Sequence, residues 1–383
     1  MKKVMLIHDH KFKYYRGEYY TSASLDYKLL DYYKNFGDEL HVISRCEFIE
    51  ELPVNYAKSS GDNIYFHPQP NVRSFGGLIK IFGIYRLIRS LVKNNDLVFI
   101  KIPSTLGVVC FFSLFKTRNN IVIEVIGNVL EANRLHGSVI GKYLGFIEHY
   151  ITKYLVLKSK NTVYITKEYL QKFYPTSAKN IAICPNAYIT PVPFDDNTSV
   201  NLNKRIGLIG SLDVDYKGHD IALRVLKELV RKDDSWRLYF VGGGNSERWK
   251  QKAEKLGVID NVNFVGSLKT GNDVYTFIDS MSLMLQPSLV EAQGRCIIEA
   301  MSRAKPVVAT EVGGIPEILP ARHVFPVDSI VPIADTITLL LSDIFYYRKT
   351  ITEQMLFLQD FNEEKIKKDR LDFIIRIDNE KDN

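Results

Sequence analysis

Short apolar strands and amphipathic helical stretches alternate twice along this chain of 383 residues, which limits the fold more than any other feature. In the first half, strands are predicted at residues 4–8, 39–44, 63–67, 97–101, 121–126 and 162–165. Helices are predicted between them at residues 22–36, 77–93 and 141–157. Because strands that alternate with helices build a parallel sheet covered on both faces, residues 1–190 are expected to form an α/β domain.

The alternation starts again after residues 190–198, a segment rich in proline and polar residues that indicates a linker. The second series of strands is predicted at residues 205–209, 236–241, 262–265, 282–285 and 306–310. Its helices are predicted at residues 219–231, 246–256, 272–280, 294–302, 316–319, 331–345, 350–361 and 363–376. A second Rossmann-like domain is therefore expected at 200–362. Ligands of such sheets bind beyond the carboxyl ends of the strands, so the loops there are the candidate site.

The two halves differ in charge. Residues 1–190 carry 25 lysines and arginines against 15 aspartates and glutamates, whereas residues 191–383 carry 25 against 29. The basic first half has an electrostatic reason to approach an anionic partner, either a nucleic acid or an anionic membrane surface. Nucleic-acid motifs are missing from the sequence and the positive charge is spread out, which argues against nucleic acid.

The strongest local signal lies in residues 291–299, with the sequence EAQGRCIIE. It follows a short apolar strand and leads into an apolar helix. Gly294 and Arg295 fall at the start of that helix, where free backbone N–H groups and the positive end of the helix dipole favour a phosphate. Glu299 can accept hydrogen bonds from two neighbouring hydroxyls such as those of a ribose. Glu291, in the loop, is available for a sugar or the reacting centre.

Three further segments follow strands of the second series and strengthen this signal. Gly210 and Ser211 come directly after the strand at 205–209, and Lys217 follows at the start of the next helix, where it can neutralise a diphosphate. Residues 242–245 read GGGN, which is neither a dinucleotide fingerprint nor a Walker motif. Residues 310–317 contain a glycine pair expected to leave backbone N–H groups free.

Residues 204–320 resemble the C-terminal domain of the retaining family-four glycosyltransferases, which have the GT-B fold. The matching segments keep the family's order and spacing. They are residues 210–218, 241–244, 263–266, 287–301 and 306–317. The resemblance implies two Rossmann-like domains facing across a cleft, with a last helix at about 363–383 that packs back on the first domain. It also implies transfer of a sugar from a nucleotide-sugar, UDP-sugars being favoured, with retention of anomeric configuration.

The resemblance implies donor-binding roles for Gly210, Ser211, Lys217, Gly266, Gly294, Arg295 and Glu299. Glu299 would bind the ribose, Lys217 would contact the diphosphate, and the loop at 265–269 would neighbour the nucleobase. Glu291 and Lys217 are the predicted catalytic residues. The family usually has an arginine where this chain has Ser211, and Arg295 is predicted to supply that charge.

Acceptor-binding residues are expected in the basic first half. The family often has a histidine-containing turn there, but the strand at 121–126 is followed by Gly127 and Asn128, which become the acceptor-side candidates. Gly17, in an aromatic and basic stretch, is a third. Residues 75–93 and 142–160 mix apolar, aromatic and cationic side chains as interfacial helices do, although a core-facing helix with a basic outer face fits equally well. The acceptor is expected to be a glycan or lipid-linked glycan of cell-surface polysaccharide synthesis.

The sequence favours metal-free chemistry, because its one Asp-x-Asp pair, Asp213 and Asp215, lies in the lysine-bearing loop rather than beyond a suitable strand. Neither a cofactor nor a metal is expected. Without a signal-peptide pattern or a long apolar run, the chain is expected in the cytoplasm or at the inner face of the plasma membrane. Two alternatives stay open: a GT-B-fold sugar-nucleotide epimerase, and a catalytically silent GT-B partner protein.

Overall fold

The computed structural model describes residues 2–22, 25–53, 55–72, 79–92, 96–115, 120–134, 139–187, 189–195 and 197–379. They divide into two compact units, Met1–Cys184 with Lys367–Asn383, and Pro185–Ile366. The boundary precedes the linker that the sequence predicted at 190–198. The physical reason is that the backbone amide of Ile189 already donates to the Phe361 carbonyl (3.2 Å) and that of Val192 to the Ser302 carbonyl (2.8 Å), both inside the second unit.

The first unit is a parallel sheet with helices. Its strands are β1 Lys3–Tyr15, β2 Glu18–Thr21, β3 Glu39–Phe48, β4 Ala57–Lys58, β5 Ile64–Gln69, β6 Leu97–Ile102, β7 Asn120–Val125, β8 Asn161–Tyr164 and β9 Asn180–Ile183. Its helices include α1 Tyr27–Lys34, α2 Ile81–Leu91, α3 Thr105–Leu114, α4 Val129–Arg134, α5 Val139–Lys158 and α6 Tyr169–Phe173. The parallel strands lie in the order β5-β3-β1-β6-β7-β8-β9. Every residue of β6 is buried, as expected inside a parallel sheet.

Strand β1 is much longer than the predicted 4–8. After a register shift it pairs again with β3, and the Lys13 ammonium contacts the Glu47 carboxylate at 2.6 Å. Arg16 and Gly17 both have positive φ, 47° and 88°, and they form the tight turn into the antiparallel β2. The stretch around Gly17 is therefore a β-hairpin rather than a loop after a strand, and the turn itself accounts for the glycine.

The second unit repeats the architecture. Its strands are β10 Arg205–Ile209, β11 Arg237–Val241, β12 Val262–Gly266, β13 Leu283–Gln286, β14 Val307–Thr310 and β15 Val324–Phe325. Its helices are α7 His219–Val230, α8 Glu247–Leu256, α9 Asn272–Ser280, α10 Arg295–Ser302, α11 Ile330–Ser342 and α12 Ile344–Met355. The strands are parallel in the order β12-β11-β10-β13-β14-β15. Strand order reverses beside β10, between β11 and β13, and ligands of open α/β sheets bind at such a point.

Helix α13, Glu363–Asn379, begins in the second unit and continues into the first. Phe373, Ile374 and Ile377 lie in the core of the first unit beside β1, β3 and β6. The last part of the predicted helix at about 363–383, after residue 379, lies outside the described residues. No single helix among those described is long and apolar enough to cross a bilayer, and Ile330–Ser342 with Ile344–Phe361 meets the criterion only as a pair bent by 109°.

Candidate functional site

The candidate site of the second unit is centred on an ion pair. Lys217 Nζ lies 2.7 Å from Glu291 Oε2, and the two side chains are only 19% and 16% exposed. Burial acts to lower the pKa of the Lys217 ammonium, but the negative charge of Glu291 outweighs it, so the pKa is raised. The lysine is therefore a fixed positive charge at the carboxyl end of β10. The contact joins the two predicted catalytic residues.

Glycines position Lys217. Its aliphatic chain lies over Gly210, where a Cβ atom would stand 2.8 Å from Lys217 Cγ. Gly218, at φ +76°, follows the short 3₁₀ turn Asp215–Lys217, and a Cβ there would stand 1.8 Å from the Pro287 carbonyl oxygen. The resemblance implied a donor-binding role for Gly210. In the structure, the absence of a side chain at Gly210 leaves room for the Lys217 chain.

The loop that carries Glu291 is held by the glycine pair after β14. Gly313 has φ +59°, and a Cβ there would stand 1.5 Å from the Glu291 carbonyl oxygen. The Gly314 amide donates to that oxygen at 3.3 Å. The expectation that the pair leaves its N–H groups free is wrong for Gly314. The close backbone contact brings the loops after β13 and β14 together.

Helix α10 begins beside this loop. Gly294 takes the left-handed conformation, φ +78°, and its carbonyl accepts from the Ile297 amide at 2.9 Å. Arg295, the first helical residue, is exposed. One turn later, burial raises the pKa of the Glu299 carboxyl, and the charge of Arg295 partly offsets that rise. A carboxylate withdrawn from water in this way gains most from hydroxyl donors.

Cys296, on α10, joins the start of this helix to the end of β10. Its Sγ lies 3.8 Å from the Ile209 carbonyl oxygen at the end of β10. Burial raises the pKa of the thiol to about 12. The charges that also act on it belong to Glu299, Lys217, Arg295 and Glu291.

Ser211 follows β10 and Gly266 ends β12, the two strands that flank β11. Ser211 is exposed and its hydroxyl donates to the Gly243 carbonyl at 3.3 Å. The Gly242 amide donates to the Gly266 carbonyl at 2.9 Å, which ties the loops after β11 and β12 together. Gly266 has φ +85° with no atom within 4 Å of a Cβ placed on it, so space is open at this residue.

The two closely spaced aspartates have protein partners. Asp213 accepts from the Asn245 amide at 2.9 Å, and Asp215 contacts Arg248 Nη1 at 2.7 Å. Among the described residues, no three His, Cys, Asp or Glu side chains are grouped so that they could hold a metal ion.

The acceptor-side candidates lie in the first unit, and Asn128 is held there by hydrogen bonds. Its amide nitrogen donates to the Tyr169 hydroxyl (3.0 Å) and its oxygen accepts from the Leu130 amide (3.0 Å). Glu131 accepts from the same Tyr169 hydroxyl. A Cβ placed on Gly127 would lie 3.6 Å from Pro103 Cδ. The side chain of Asn128 therefore has a structural role whatever its part in acceptor binding.

Comparison with known proteins agrees with this geometry. A family described as "Glycosyl transferases group 1" matches residues 203–343. Protein CapJ of Staphylococcus aureus is 28% identical over 369 residues, 96% of this chain and 94% of that protein. The lipopolysaccharide glucosyltransferase WaaG of Escherichia coli is 28% identical over 156 residues, 38% of this chain and 41% of WaaG.

A solved structure shares the fold over nearly the full length. Anabaena HepE, in complex with UDP and glucose, superposes with a TM-score of 0.70 at 16% identity, covering 98% of this chain and 100% of that one.

Proposed function

We propose that this chain, a member of the family-four, group 1 glycosyltransferases of GT-B fold, moves a sugar from a nucleotide-sugar, with UDP-sugars favoured. The proposed acceptor is a glycan or lipid-linked glycan in cell-surface polysaccharide synthesis. The single observation that carries the proposal is the ion pair of Lys217 with Glu291 at the carboxyl end of β10, beside the start of α10, which Cys296 joins to the end of β10. Arg295 and Glu299 lie on the first turns of that helix. UDP and glucose in HepE and the lipopolysaccharide role of WaaG support the choice of substrates.

The donor is proposed to bind with its diphosphate at Lys217. Arg295 and the amide groups at the start of α10 provide further positive potential, and the left-handed conformation of Gly294 sets where that helix begins. The ribose hydroxyls donate to Glu299, whose carboxylate is largely withdrawn from water. Gly266 and the open space beside it receive the nucleobase.

Negative charge grows on the leaving diphosphate as the bond to the sugar breaks. A fixed ammonium at Lys217 stabilises that charge more in the transition state than in the ground state, which is the condition for catalysis. Because Glu291 already forms an ion pair with Lys217, the incoming diphosphate displaces the Glu291 carboxylate from the ammonium. Glu291 is then released toward the transferred sugar. We propose that transfer retains the anomeric configuration and needs no metal.

The proposal extends to location. An acceptor carried by a lipid would be met at the inner face of the plasma membrane by a peripherally bound protein. The basic first half, with 25 cationic against 15 anionic side chains in residues 1–190, supports this arrangement because it is attracted to anionic lipid.

Thermal unfolding with UDP, GDP, ADP and their sugar conjugates tests the proposal. A ligand that binds only the folded state raises the unfolding temperature by mass action, and UDP is expected to raise it most. Indifference to all three nucleotides would refute the donor site. Incubating the protein with UDP-sugars without acceptor separates transfer from the alternative, because an epimerase would convert the donor sugar. The anomeric form of the product and activity in a chelator test retention and metal independence.

A further inference from the structure

Helix α5 has apolar side chains on both its buried and its exposed sides. The face packed against the protein includes the fully buried Leu155 and Val156 together with His149, whose Nδ1 lies 3.2 Å from the Tyr174 hydroxyl. The opposite face is apolar and exposed. Its large side chains are Tyr143, Phe146, Ile147, Tyr150, Tyr154 and Leu157, of which Tyr143 is 67% and Tyr150 54% exposed. We call this set the α5 stripe.

The members of the α5 stripe recur at three- and four-residue intervals, so they lie along one side of the helix. The end of α3 extends the apolar surface, because Phe112 is half exposed and its ring stacks on Tyr154 at 6.5 Å between centroids. A contiguous exposed surface of this kind marks an interaction site rather than an ordinary solvent-facing helix.

Charge shows which partner fits. Lys153 and Lys158 are exposed. Lys153 directly precedes Tyr154 and Lys158 follows it by four residues, so helical geometry places them on opposite sides of the α5 stripe. Lys158 Nζ lies 6.0 Å from the centre of the Tyr154 ring. An aromatic and aliphatic stripe bordered by lysines is the composition of a helix that lies in an anionic lipid interface. A second copy of the chain would add positive charge to this surface rather than compensate it, which disfavours self-association.

We propose that the α5 stripe, together with Phe112, inserts into the surface of an anionic bilayer with Lys153 and Lys158 at the headgroups. The proposal rests on the proposed function in one respect only, in that it names the membrane surface at which a lipid-linked acceptor would be met. Binding to lipid itself needs neither donor nor acceptor.

Co-sedimentation with vesicles measures the binding. The full chain is mixed with vesicles containing phosphatidylglycerol or with vesicles of phosphatidylcholine alone. Binding to the anionic vesicles is expected, with a loss as salt is raised. Lys153→Glu with Lys158→Glu should weaken it about 25-fold or more, taking about fivefold for each lysine removed. Phe146→Ser with Tyr150→Ser should weaken it about tenfold or more.

Two matched controls keep the test specific. Phe345→Ser removes an exposed phenyl ring from the second unit, and Lys227→Glu reverses an exposed charge there; neither should change vesicle binding. All the replaced side chains are exposed, so unfolding temperatures should stay near that of the wild type. UDP binding without vesicles, measured on the same samples, reports on the donor site separately.

Equal binding by the α5-stripe variants and the wild type, or no binding of the wild type to anionic vesicles, would overturn the membrane proposal while leaving the donor site standing if UDP still binds. Sedimentation velocity without vesicles tests the alternative that a second copy of the chain covers the α5 stripe. A dimer that the Phe146→Ser, Tyr150→Ser protein loses, in a protein that ignores vesicles, would assign the α5 stripe to a second copy and would also overturn the proposal.

Discussion

A lysine–glutamate ion pair lies in each unit, and the two pairs differ in what surrounds them. In the first unit, Lys101 Nζ lies 2.6 Å from Glu124 Oε2, and both side chains are 5% exposed or less. Arg370 Nη1 approaches the other carboxylate oxygen at 2.9 Å, and the Tyr33 hydroxyl donates to the same carboxylate. In the second unit, Glu291 meets Lys217 through one oxygen in a partly open site.

The comparison distinguishes a buried charge cluster that stabilises the fold from an ion pair whose carboxylate is proposed to be displaced by a ligand. Glu124 is held from several sides, by residues of β6, α1 and α13, so removing its carboxylate leaves Lys101 and Arg370 as buried charges. The Lys217–Glu291 pair retains some access to solvent, and under the proposed function a diphosphate replaces the carboxylate beside the ammonium. Burial and the number of partners, rather than the residue types, distinguish the two roles.

The largest effect is expected on the structural side of the comparison. Glu124→Gln leaves Lys101 and Arg370 buried without a counter-charge, which should lower the free energy of unfolding by about 3–5 kcal/mol. Urea denaturation measures this. Glu168→Gln, which removes an exposed partner of Lys172, is the control and should leave stability unchanged. A normal urea midpoint for Glu124→Gln would remove the distinction between the two pairs.

The same cluster sets an acid limit on stability. Burial acts to raise the pKa of Glu124, but the charges of Lys101 and Arg370 outweigh it and lower the pKa to about 2. A carboxyl whose pKa is lowered by folding stabilises the fold above its unfolded pKa, about 4.3, and that contribution is lost as the pH falls toward 2. Stability of the wild type should decline in that window, and Glu124→Gln should lack this part of the decline.

On the functional side, Lys217→Met should reduce transfer by about 10²- to 10³-fold, because it removes the positive charge at the leaving diphosphate. Initial rates with a UDP-sugar measure the loss. Lys227→Met, on the exposed side of α7, is the matched control and should keep full activity. If Lys217→Met lost its fold instead of its activity, this pair too would be structural and the comparison would fail.

Glu299→Gln sharpens the assignment of the ribose. Replacing an ionised acceptor with a neutral one should weaken UDP binding about 10- to 100-fold. The raised pKa of Glu299 adds a pH signature, since donor hydroxyls favour the ionised form. The ratio of wild-type to variant affinity should therefore fall as the pH drops, beginning above the pH of about 4.3 typical of glutamate. A ratio that does not depend on pH would place the ribose elsewhere.

The smallest effect is expected at Arg295, which is exposed. Arg295→Ala should weaken UDP binding by about two- to fivefold, and raised salt should reduce the difference between variant and wild type. Calorimetric titration at two ionic strengths measures both. An unchanged affinity at low salt would show that Arg295 does not replace the arginine that the family usually has at the position of Ser211.

The elements of the second unit followed from sequence more closely than those of the first. β10 and α9 begin and end at the predicted residues, because apolar strands and amphipathic helices alternate there without exception. β1 was predicted at less than half its length, since its second part is held by Lys13–Glu47 and by pairing to β3 rather than by an apolar pattern. Helix α3 is apolar all round, so it has no helical period to detect.

The site residues of the second unit could be predicted by type but not by contact. Glu291, Glu299 and Lys217 were recognisable from the loops they occupy, yet the ion pair joins residues 74 positions apart. Gly210 leaves room for the aliphatic chain of Lys217, and nothing in the residues around Gly210 predicts this contact. The Glu124 cluster was missed altogether, because Arg370 reaches Tyr33 across 337 positions of sequence.

A crystal structure of the UDP complex would measure the distance from Lys217 Nζ to the diphosphate and so test most directly whether Lys217 binds the donor. We expect a charge-assisted contact of about 2.8 Å, the Lys217–Glu291 pair parted, and the ribose hydroxyls on Glu299. A nucleotide bound elsewhere, with the 2.7 Å contact between Lys217 and Glu291 unbroken, would contradict it.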